Sequence, residues 1–147
     1  MQNKTGRSAG KPRLAAVVGV GVIGGGWVAR LIQNGVDVQV FDPDPEAPRK
    51  IEAVMANADH AIAKLTMAPM PTPGRLRFAA SIADAAAAAE LIVEAVPERL
   101  EVKHAVYAEI EAAAKPDAII SSSTSGIMPT DLQAGMRHPG RLLVGHP

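Results

Sequence analysis

The sequence contains no cysteine, few aromatic residues and no long apolar run, and each of these features excludes a class of protein. Without cysteine the chain has no disulfide framework, no thiolate metal site and no thiol nucleophile. No apolar run approaches the roughly 20 residues that a membrane-spanning helix needs, and the amino terminus lacks the apolar core of a secretory signal. We therefore expect a cytoplasmic protein without a metal site.

The scarcity of aromatic residues restricts how the core can be built. One Trp, one Tyr and two Phe are the aromatic residues of a chain of 147, yet 48% of the residues are hydrophobic and only 20% are charged. This composition excludes a disordered chain, and the length fits one domain. The core must therefore consist of Val, Ile, Leu and Ala, which suits buried parallel strands covered by alanine-rich helices.

Charge is unevenly distributed along the chain, although the formal net charge is zero. The first thirteen residues contain four Lys and Arg residues and no acidic residue, so the rest of the chain is net negative. A mildly acidic body argues against a nucleic-acid-binding surface. The basic start, rich in Gly, Ser and Lys, predicts a disordered leader over residues 1–13, followed by one domain over residues 14–147.

Apolar runs typical of strands alternate along the chain with patterns typical of helices. The predicted strands are residues 14–19, 36–42, 75–80, 91–96, 118–122 and 142–145. The predicted helices are residues 22–34, 52–65, 101–115 and 129–134, with an alanine-rich helix between the N-cap Ser81 and Leu91. Three prolines between residues 66 and 74 exclude regular structure there. The alternation predicts an α/β fold of Rossmann type, a doubly wound parallel sheet.

Glycines at three fixed positions join the first predicted strand to the first predicted helix. Gly19, Gly21 and Gly24 form the pattern G-x-G-x-x-G. In such a turn the first glycine permits the tight bend, the second lets the backbone approach a pyrophosphate, and the third lets the helix pack on the strand. The helix start, with Val22 and Ile23, offers free N–H groups and a partial positive charge to phosphates. The pattern predicts a dinucleotide-binding site.

An acidic residue ends the second predicted strand, where dinucleotide-binding folds carry one about 20 residues beyond the glycines. This residue is Asp42, whose carboxylate could accept hydrogen bonds from the adenosine ribose hydroxyls. No Lys or Arg follows until Arg49, so we expect no cation to meet a 2′-phosphate, and NAD is favoured over NADP. Folds that bind FAD and methyltransferase folds share parts of the glycine turn, so the turn alone leaves the reaction open.

Four further segments resemble the 3-hydroxyacyl-CoA dehydrogenase family. They are GVGVIGGGW (19–27), VEAVPERLEVK (93–103), SSSTSGIMP (121–129) and GHP (145–147). The resemblance implies a Rossmann domain that binds NAD, followed by a helical domain that dimerises and helps to form the substrate site. The helical domain would lie beyond Pro147. We therefore expect the full-length protein to be a homodimer and the present chain alone to be inactive.

The resemblance also assigns roles to individual residues. His146 matches the active-site histidine, which takes a proton from the substrate 3-hydroxyl as hydride passes to the nicotinamide. Ser125 matches the serine that orients the substrate oxygen, although it could instead be a simple turn serine. The positions that the resemblance assigns to the cofactor are Ala95, Glu98, Lys103 and Ser123. Lys103 could alternatively be a solvated lysine on a helix surface. The remaining histidines, His60, His104 and His138, show no partner pattern and are predicted to be surface residues.

The segment between the second and third predicted strands bears on the substrate. In family members that act on acyl-CoA this region is lysine-rich and meets the CoA phosphates, whereas residues 50–78 here contain only four cations and several prolines. Few cations give a polyphosphate little to bind, which favours a small free 3-hydroxy acid such as L-carnitine. A 3-hydroxyacyl-CoA and L-gulonate are alternative substrates. A non-catalytic nucleotide-binding or structural module, as among crystallin relatives, is an alternative of another class.

Overall fold

The structure, a computed structural model, describes residues 10–65 and 67–147. Its strands are β1 (Leu14–Val18), β2 (Asp37–Phe41), β3 (Leu76–Phe78), β4 (Leu91–Glu94), β5 (Ile119–Ser122) and β6 (Leu142–Val144). Its helices are α1 (Val22–Gln33), α2 (Ala47–Leu65), α3 (Ile82–Ala86), α4 (Leu100–Ala113) and α5 (Pro129–Gln133), with a 3-10 helix at Pro139–Arg141. Across the described residues, no helix combines the length and the apolar character needed to cross a membrane.

All six strands run parallel in one sheet, in the order β3-β2-β1-β4-β5-β6. The chain moves outward in one direction from β1 to β3 and then returns to the other side of β1 with β4. The strand order therefore reverses between β1 and β4, and a crevice opens at the carboxyl ends of the strands at such a reversal. The predicted Rossmann-type doubly wound fold is confirmed.

Two buried clusters cover the two faces of the sheet, because successive side chains of a strand point to opposite sides. Ala15 and Val17 of β1 pack in the cluster that contains residues of α1 and α2. Ala16 and Val18 pack in the cluster that contains residues of α3, α4 and α5. The core consists largely of Val, Ile, Leu and Ala, as composition predicts. Among residues 10–65 and 67–147, Tyr107 is the one aromatic side chain that is fully buried.

Several element boundaries differ from the predicted ones for local reasons. Helix α2 begins at Ala47 instead of residue 52, because Pro48 lies in its first turn, where the missing N–H has no intrahelical partner to lose. Helix α4 ends at Ala113, two residues before the predicted end, because Pro116 disfavours a helical conformation in the residue before it. Strand β4 ends at Glu94 instead of residue 96, shortly before Pro97, which cannot donate a hydrogen bond to a neighbouring strand.

The predicted leader lies partly outside the described residues, which begin at Gly10. The backbone N–H and Nε of Arg13 each lie 3.4 Å from a carboxylate oxygen of Glu90, and the ammonium of Lys11 donates to the backbone oxygen of Asn34. Contacts with the domain therefore begin before β1. Residues 1–9 lie outside the described structure.

Candidate functional site

A cavity of about 910 Å³ lies at the carboxyl edge of the sheet, at the reversal of strand order. Its walls come from the segments that follow β1, β2 and β4, with side chains from α2, α3 and α4. Five of the residues predicted to bind the cofactor line it: Gly19, Gly21, Val22, Asp42 and Ala95. The cavity is mostly apolar, with two carboxylates and one ammonium at one end. Such a lining suits a nucleoside with an anionic linker near a helix start.

The glycine turn brings three backbone segments together beside this cavity. Gly19 has φ +92°, and a Cβ atom there would lie 2.6 Å from the backbone oxygen of Ala95. A Cβ atom on Gly24 would lie 1.8 Å from the backbone oxygen of Gly19. A Cβ atom on Gly21 would meet nothing within 4 Å. The first and third glycines are therefore needed for the fold, whereas the second faces open space in the cavity.

Helix α1 begins at the cavity wall with unpaired backbone donors. Its first intrahelical hydrogen bond runs from the N–H of Gly25 to the oxygen of Gly21 at 2.9 Å, so the three N–H groups before Gly25 have no partner within the helix. The side chain of Val22 is 90% exposed, unusual for a large apolar residue, and lines the cavity. Ile23 is half-buried. The donors and the positive end of the helix dipole suit a pyrophosphate group.

The carboxylate of Asp42 is held in place by backbone donors from two sides. The N–H of Val20 donates to its Oδ2 at 2.7 Å, and the N–H of Asp44 donates to its Oδ1 at 2.8 Å. Because each carboxylate oxygen can accept more than one hydrogen bond, both retain acceptor capacity towards the cavity. The carboxylate of Asp42 is therefore held in a fixed position with free acceptor capacity, and its role as the acceptor for ribose hydroxyls stays a prediction.

Lys50 lies at the end of the cavity that is lined by Asp42 and Asp44, a position that the sequence analysis did not predict. It lies in the second turn of α2 and lines the cavity, with its ammonium 2.5 Å from Oδ2 of Asp44. The hydrogen bond from Lys50 to Asp44 raises the pKa of the lysine above its ordinary value. Its charge is thus balanced by Asp44, and Asp42 adds a second carboxylate. The end of the cavity that contains Asp42 is therefore net negative, which would repel a 2′-phosphate placed there.

Glu98 holds the loop that contains Ser125. Its Oε1 accepts the backbone N–H groups of Ser125 at 2.9 Å and Gly126 at 3.0 Å, and the hydroxyl of Thr124 also donates to it. Burial alone would raise the pKa of Glu98, but the hydrogen bonds from Thr124, from the two N–H groups and from Lys103 outweigh it and lower the pKa to about 2. The structure thus gives Glu98 a role in positioning the serine loop.

Lys103 is fully buried, so its alternative interpretation as a solvated surface lysine is wrong. Its ammonium lies 2.7 Å from Oε1 of Glu94 and 3.3 Å from Oε2 of Glu98. Glu94 is also fully buried, and sequence reasoning missed its role. A signal was available in the strand segment LIVEAV, because a carboxylate in a buried strand requires a charged or hydrogen-bonding partner. The predicted contact of Lys103 with the cofactor stays a prediction.

Ser123, Ser125 and His146 lie at the carboxyl ends of the neighbouring strands β5 and β6. The register pairs Ser122 with Val144, so Ser125 and His146 follow these strands at the same edge of the sheet. The hydroxyl of Ser123 accepts a hydrogen bond from the indole N–H of Trp27 in α1 at 3.2 Å. Ser125 and His146 are exposed, and Nδ1 of His146 lies 2.9 Å from the backbone oxygen of Pro147.

The other histidines differ in their surroundings. His60 and His138 are exposed, as predicted. His104 is half-buried, and its Nε2 lies 2.7 Å from the backbone oxygen of Asp131. His104 therefore still reaches the surface, and its contact with Asp131 links α4 to α5.

Comparison with known proteins identifies a family and several relatives of this chain. Residues 14–147 match the sequence model of the 3-hydroxyacyl-CoA dehydrogenase, NAD binding domain. The L-carnitine dehydrogenase/betainyl-CoA thioesterase of a Rhizobium species is 59% identical over 90% of this chain and 27% of its own length. The L-carnitine dehydrogenase of Mesorhizobium japonicum is 57% identical over 90% of this chain and 37% of its own. The chain therefore spans well under half the length of these relatives.

Solved structures of similar proteins have the same fold. The 5-formyl-3-hydroxy-2-methylpyridine 4-carboxylic acid 5-dehydrogenase, an NAD+-dependent dismutase, is 35% identical with a TM-score of 0.82, over 91% of this chain and 44% of its own. The 3-hydroxybutyryl-CoA dehydrogenase of Escherichia coli is 31% identical with a TM-score of 0.78, over 92% of this chain and 29% of its own. Since the matching family model is that of an NAD-binding domain, the cofactor of this domain is NAD.

The first prediction concerns the glycine that faces the cavity. Gly21→Val should weaken NADH binding at least about tenfold, because the side chain would stand where the pyrophosphate must approach the backbone. The melting temperature should change little, since the space around Gly21 is open. Gly26→Val is the matched control, because Gly26 lies in the helix that Gly21 precedes, also faces open space and is not among the residues that line the cavity. Unchanged NADH affinity in a folded Gly21→Val protein would place the phosphates elsewhere.

The second prediction concerns the ribose end of the cavity. The chain should bind NADH at least about tenfold more tightly than NADPH. In NADPH the 2′-hydroxyl that would donate to Asp42 is replaced by a phosphate, so one charge-assisted hydrogen bond is lost and the Asp42 carboxylate faces a negative group. Asp42→Ala should narrow that ratio, whereas Asp37→Ala, at the other end of β2 and paired with Arg75, should leave it unchanged. The ratio is measured by fluorescence titration with both cofactors. Equal affinities in the unmodified chain would contradict the assignment of Asp42.

Proposed function

The chain belongs to the 3-hydroxyacyl-CoA dehydrogenase family, of which it is the NAD-binding domain, and we propose that the full-length protein oxidises the 3-hydroxyl group of L-carnitine to a ketone. The observation that carries the proposal is the identity of 57 to 59% with L-carnitine dehydrogenases over 90% of this chain. By the same resemblance the full-length protein is a cytoplasmic homodimer, whose helical domain completes the substrate site.

The proposed chemistry assigns one task to each residue at the carboxyl edge of β5 and β6. Bound NAD supplies the acceptor for the hydride that leaves C3 of the substrate. A neutral imidazole at His146 takes the hydroxyl proton as a general base. The hydroxyl of Ser125 donates a hydrogen bond to the same oxygen and stabilises its developing charge. Glu98 supports this step, because its carboxylate accepts the backbone N–H of Ser125 and so fixes the position of that residue.

The charges between β2 and β3 support a small free substrate. Of the four cations that the sequence places there, three form ion pairs within the chain: Lys50 with Asp44, Arg75 with Asp37 and Arg77 with Asp84. A cation that already has a carboxylate partner offers less attraction to the phosphates of CoA. The segment therefore favours L-carnitine over an acyl-CoA ester.

A 3-hydroxyacyl-CoA substrate is the second candidate, and a specific observation favours it. The 3-hydroxybutyryl-CoA dehydrogenase of Escherichia coli shares the fold of this chain at 31% identity. That identity is well below the identity with the L-carnitine dehydrogenases, so the CoA ester ranks second.

The substrate assignment is tested by NAD reduction in the full-length protein. The kcat/KM for L-carnitine should exceed that for L-3-hydroxybutyryl-CoA by about tenfold or more, the equivalent of one charge-assisted hydrogen bond that the CoA phosphates do not gain. A higher kcat/KM for the CoA ester would be consistent with the family assignment but would contradict L-carnitine as the substrate. NADH binding without turnover of L-carnitine, L-gulonate or the CoA ester would favour the non-catalytic, crystallin-like module.

The roles of the two proposed catalytic residues are tested separately. In the full-length protein His146→Gln should lower kcat by roughly 10²- to 10⁴-fold, the usual contribution of a positioned general base. NADH affinity should persist. Ser125→Ala should lower kcat less, because a water molecule partly replaces the hydroxyl. His138→Gln, at another exposed histidine, serves as the control. Near-normal turnover in His146→Gln would show that another group is the base.

A further inference from the structure

A cluster of buried polar side chains lies next to the serine loop and is not used by the proposed chemistry. It consists of Glu94, Lys103, Tyr107 and Ser122, which are each exposed by 1% or less. A buried ion pair is poor evidence for stability, because apolar residues of similar size often stabilise a fold as well or better. We therefore take the cluster as an indication that the side chains between β4, α4 and the loop of Ser125 need a defined geometry.

The two oxygens of the Glu94 carboxylate have different partners. Oε2 accepts the hydroxyls of Tyr107 and Ser122, each at 2.6 Å, within the core. Oε1 accepts the ammonium of Lys103 at 2.7 Å and the N–H of Val96 at 3.0 Å. Val96 lines the cofactor cavity. The Oε1 side of the carboxylate thus faces the functional site, and the Oε2 side faces the core.

Lys103 connects this buried carboxylate to Glu98. Its ammonium lies between Oε1 of Glu94 and Oε2 of Glu98. The side chain of Glu98 is 41% exposed, so its carboxylate could turn towards solvent if the ammonium did not attract one of the carboxylate oxygens. With Oε2 near Lys103, the other oxygen of Glu98 faces the N–H groups of Ser125 and Gly126.

We propose that Glu94 and Lys103 are positioning residues: the buried pair orients Glu98, and Glu98 in turn fixes the loop that presents Ser125. Glu94 binds the ammonium of Lys103 from the core side. The ammonium can therefore attract Glu98 only from its other side. The effect on turnover rests on the proposed function of Ser125, whereas the effect on the loop does not.

Amide hydrogen exchange of the chain tests the positioning directly. In Lys103→Met the N–H groups of Ser125 and Gly126 should exchange about tenfold faster or more, the equivalent of losing one hydrogen bond to a charged group. Tyr107→Phe is the matched control, because it removes a hydrogen bond from the other oxygen of the same buried carboxylate. It should lower the melting temperature while the two N–H groups keep their wild-type exchange.

Unchanged exchange of both N–H groups in Lys103→Met would overturn the proposal. Equally fast exchange in Tyr107→Phe would also overturn it, because loss of stability alone would then explain the effect. If Lys103→Met does not fold, Glu94→Gln/Lys103→Met leaves no unpaired buried charge and must show the same faster exchange.

In the full-length protein, Lys103→Met should lower kcat more than it weakens NADH binding. If the two N–H groups exchange faster in Lys103→Met but kcat does not fall, the proposed role of Ser125 in turnover is rejected. The positioning of the loop by Glu94 and Lys103 is then retained.

Discussion

The close approach of three backbone segments at Gly19 is the constraint on which the rest of the site depends. A side chain at Gly19 would collide with Ala95, and one at Gly24 would collide with Gly19, so β1, α1 and the end of β4 meet at van der Waals distance only with glycine at both positions. The N–H of Gly19 also donates to the oxygen of Phe41 at 2.9 Å, which ties the end of β2 to the same point. This packing places the start of α1 and the carboxylate of Asp42 on one cavity, where a dinucleotide needs its phosphate donors and ribose acceptor.

The turn between β4 and α4 joins the two halves of the site. Its backbone and apolar side chains line the cavity. Glu98, near the start of α4, accepts the N–H of Ser125, and Glu94, at the end of β4, accepts the ammonium of Lys103. A shift of this turn would therefore move the cavity wall and the loop together. The placement of the cavity relative to Ser125 therefore depends on this short segment as well as on the strands that it connects.

Local patterns in the sequence were sufficient for the elements and for the cofactor turn. Short segments of the sequence predicted all six strands, and the glycine spacing with Asp42 predicted a dinucleotide-binding site between β1 and α1. These signals lie within a few residues of each other or at the ends of successive strands. Side-chain pairs between distant segments were not predictable in this way. The indole of Trp27 reaches Ser123 from 96 positions away, and Glu98 reaches the backbone of Ser125 from 27 positions away. The alternative of a solvated surface lysine at Lys103 could not be excluded from the helix pattern, because the burial of Lys103 depends on Glu94, the partner that β4 supplies.

The central claim is that one cavity, built around the glycine turn, holds NAD with its ribose at Asp42 and its reactive end towards the serine loop. A crystal structure of the chain with bound NADH tests this most directly. The account predicts pyrophosphate oxygens within hydrogen-bond distance of the first N–H groups of α1, adenosine ribose hydroxyls on Asp42, and the nicotinamide on the side of Ser125 and His146. A dinucleotide bound outside this cavity, or in the reverse direction with adenine beside Ser125, would contradict it.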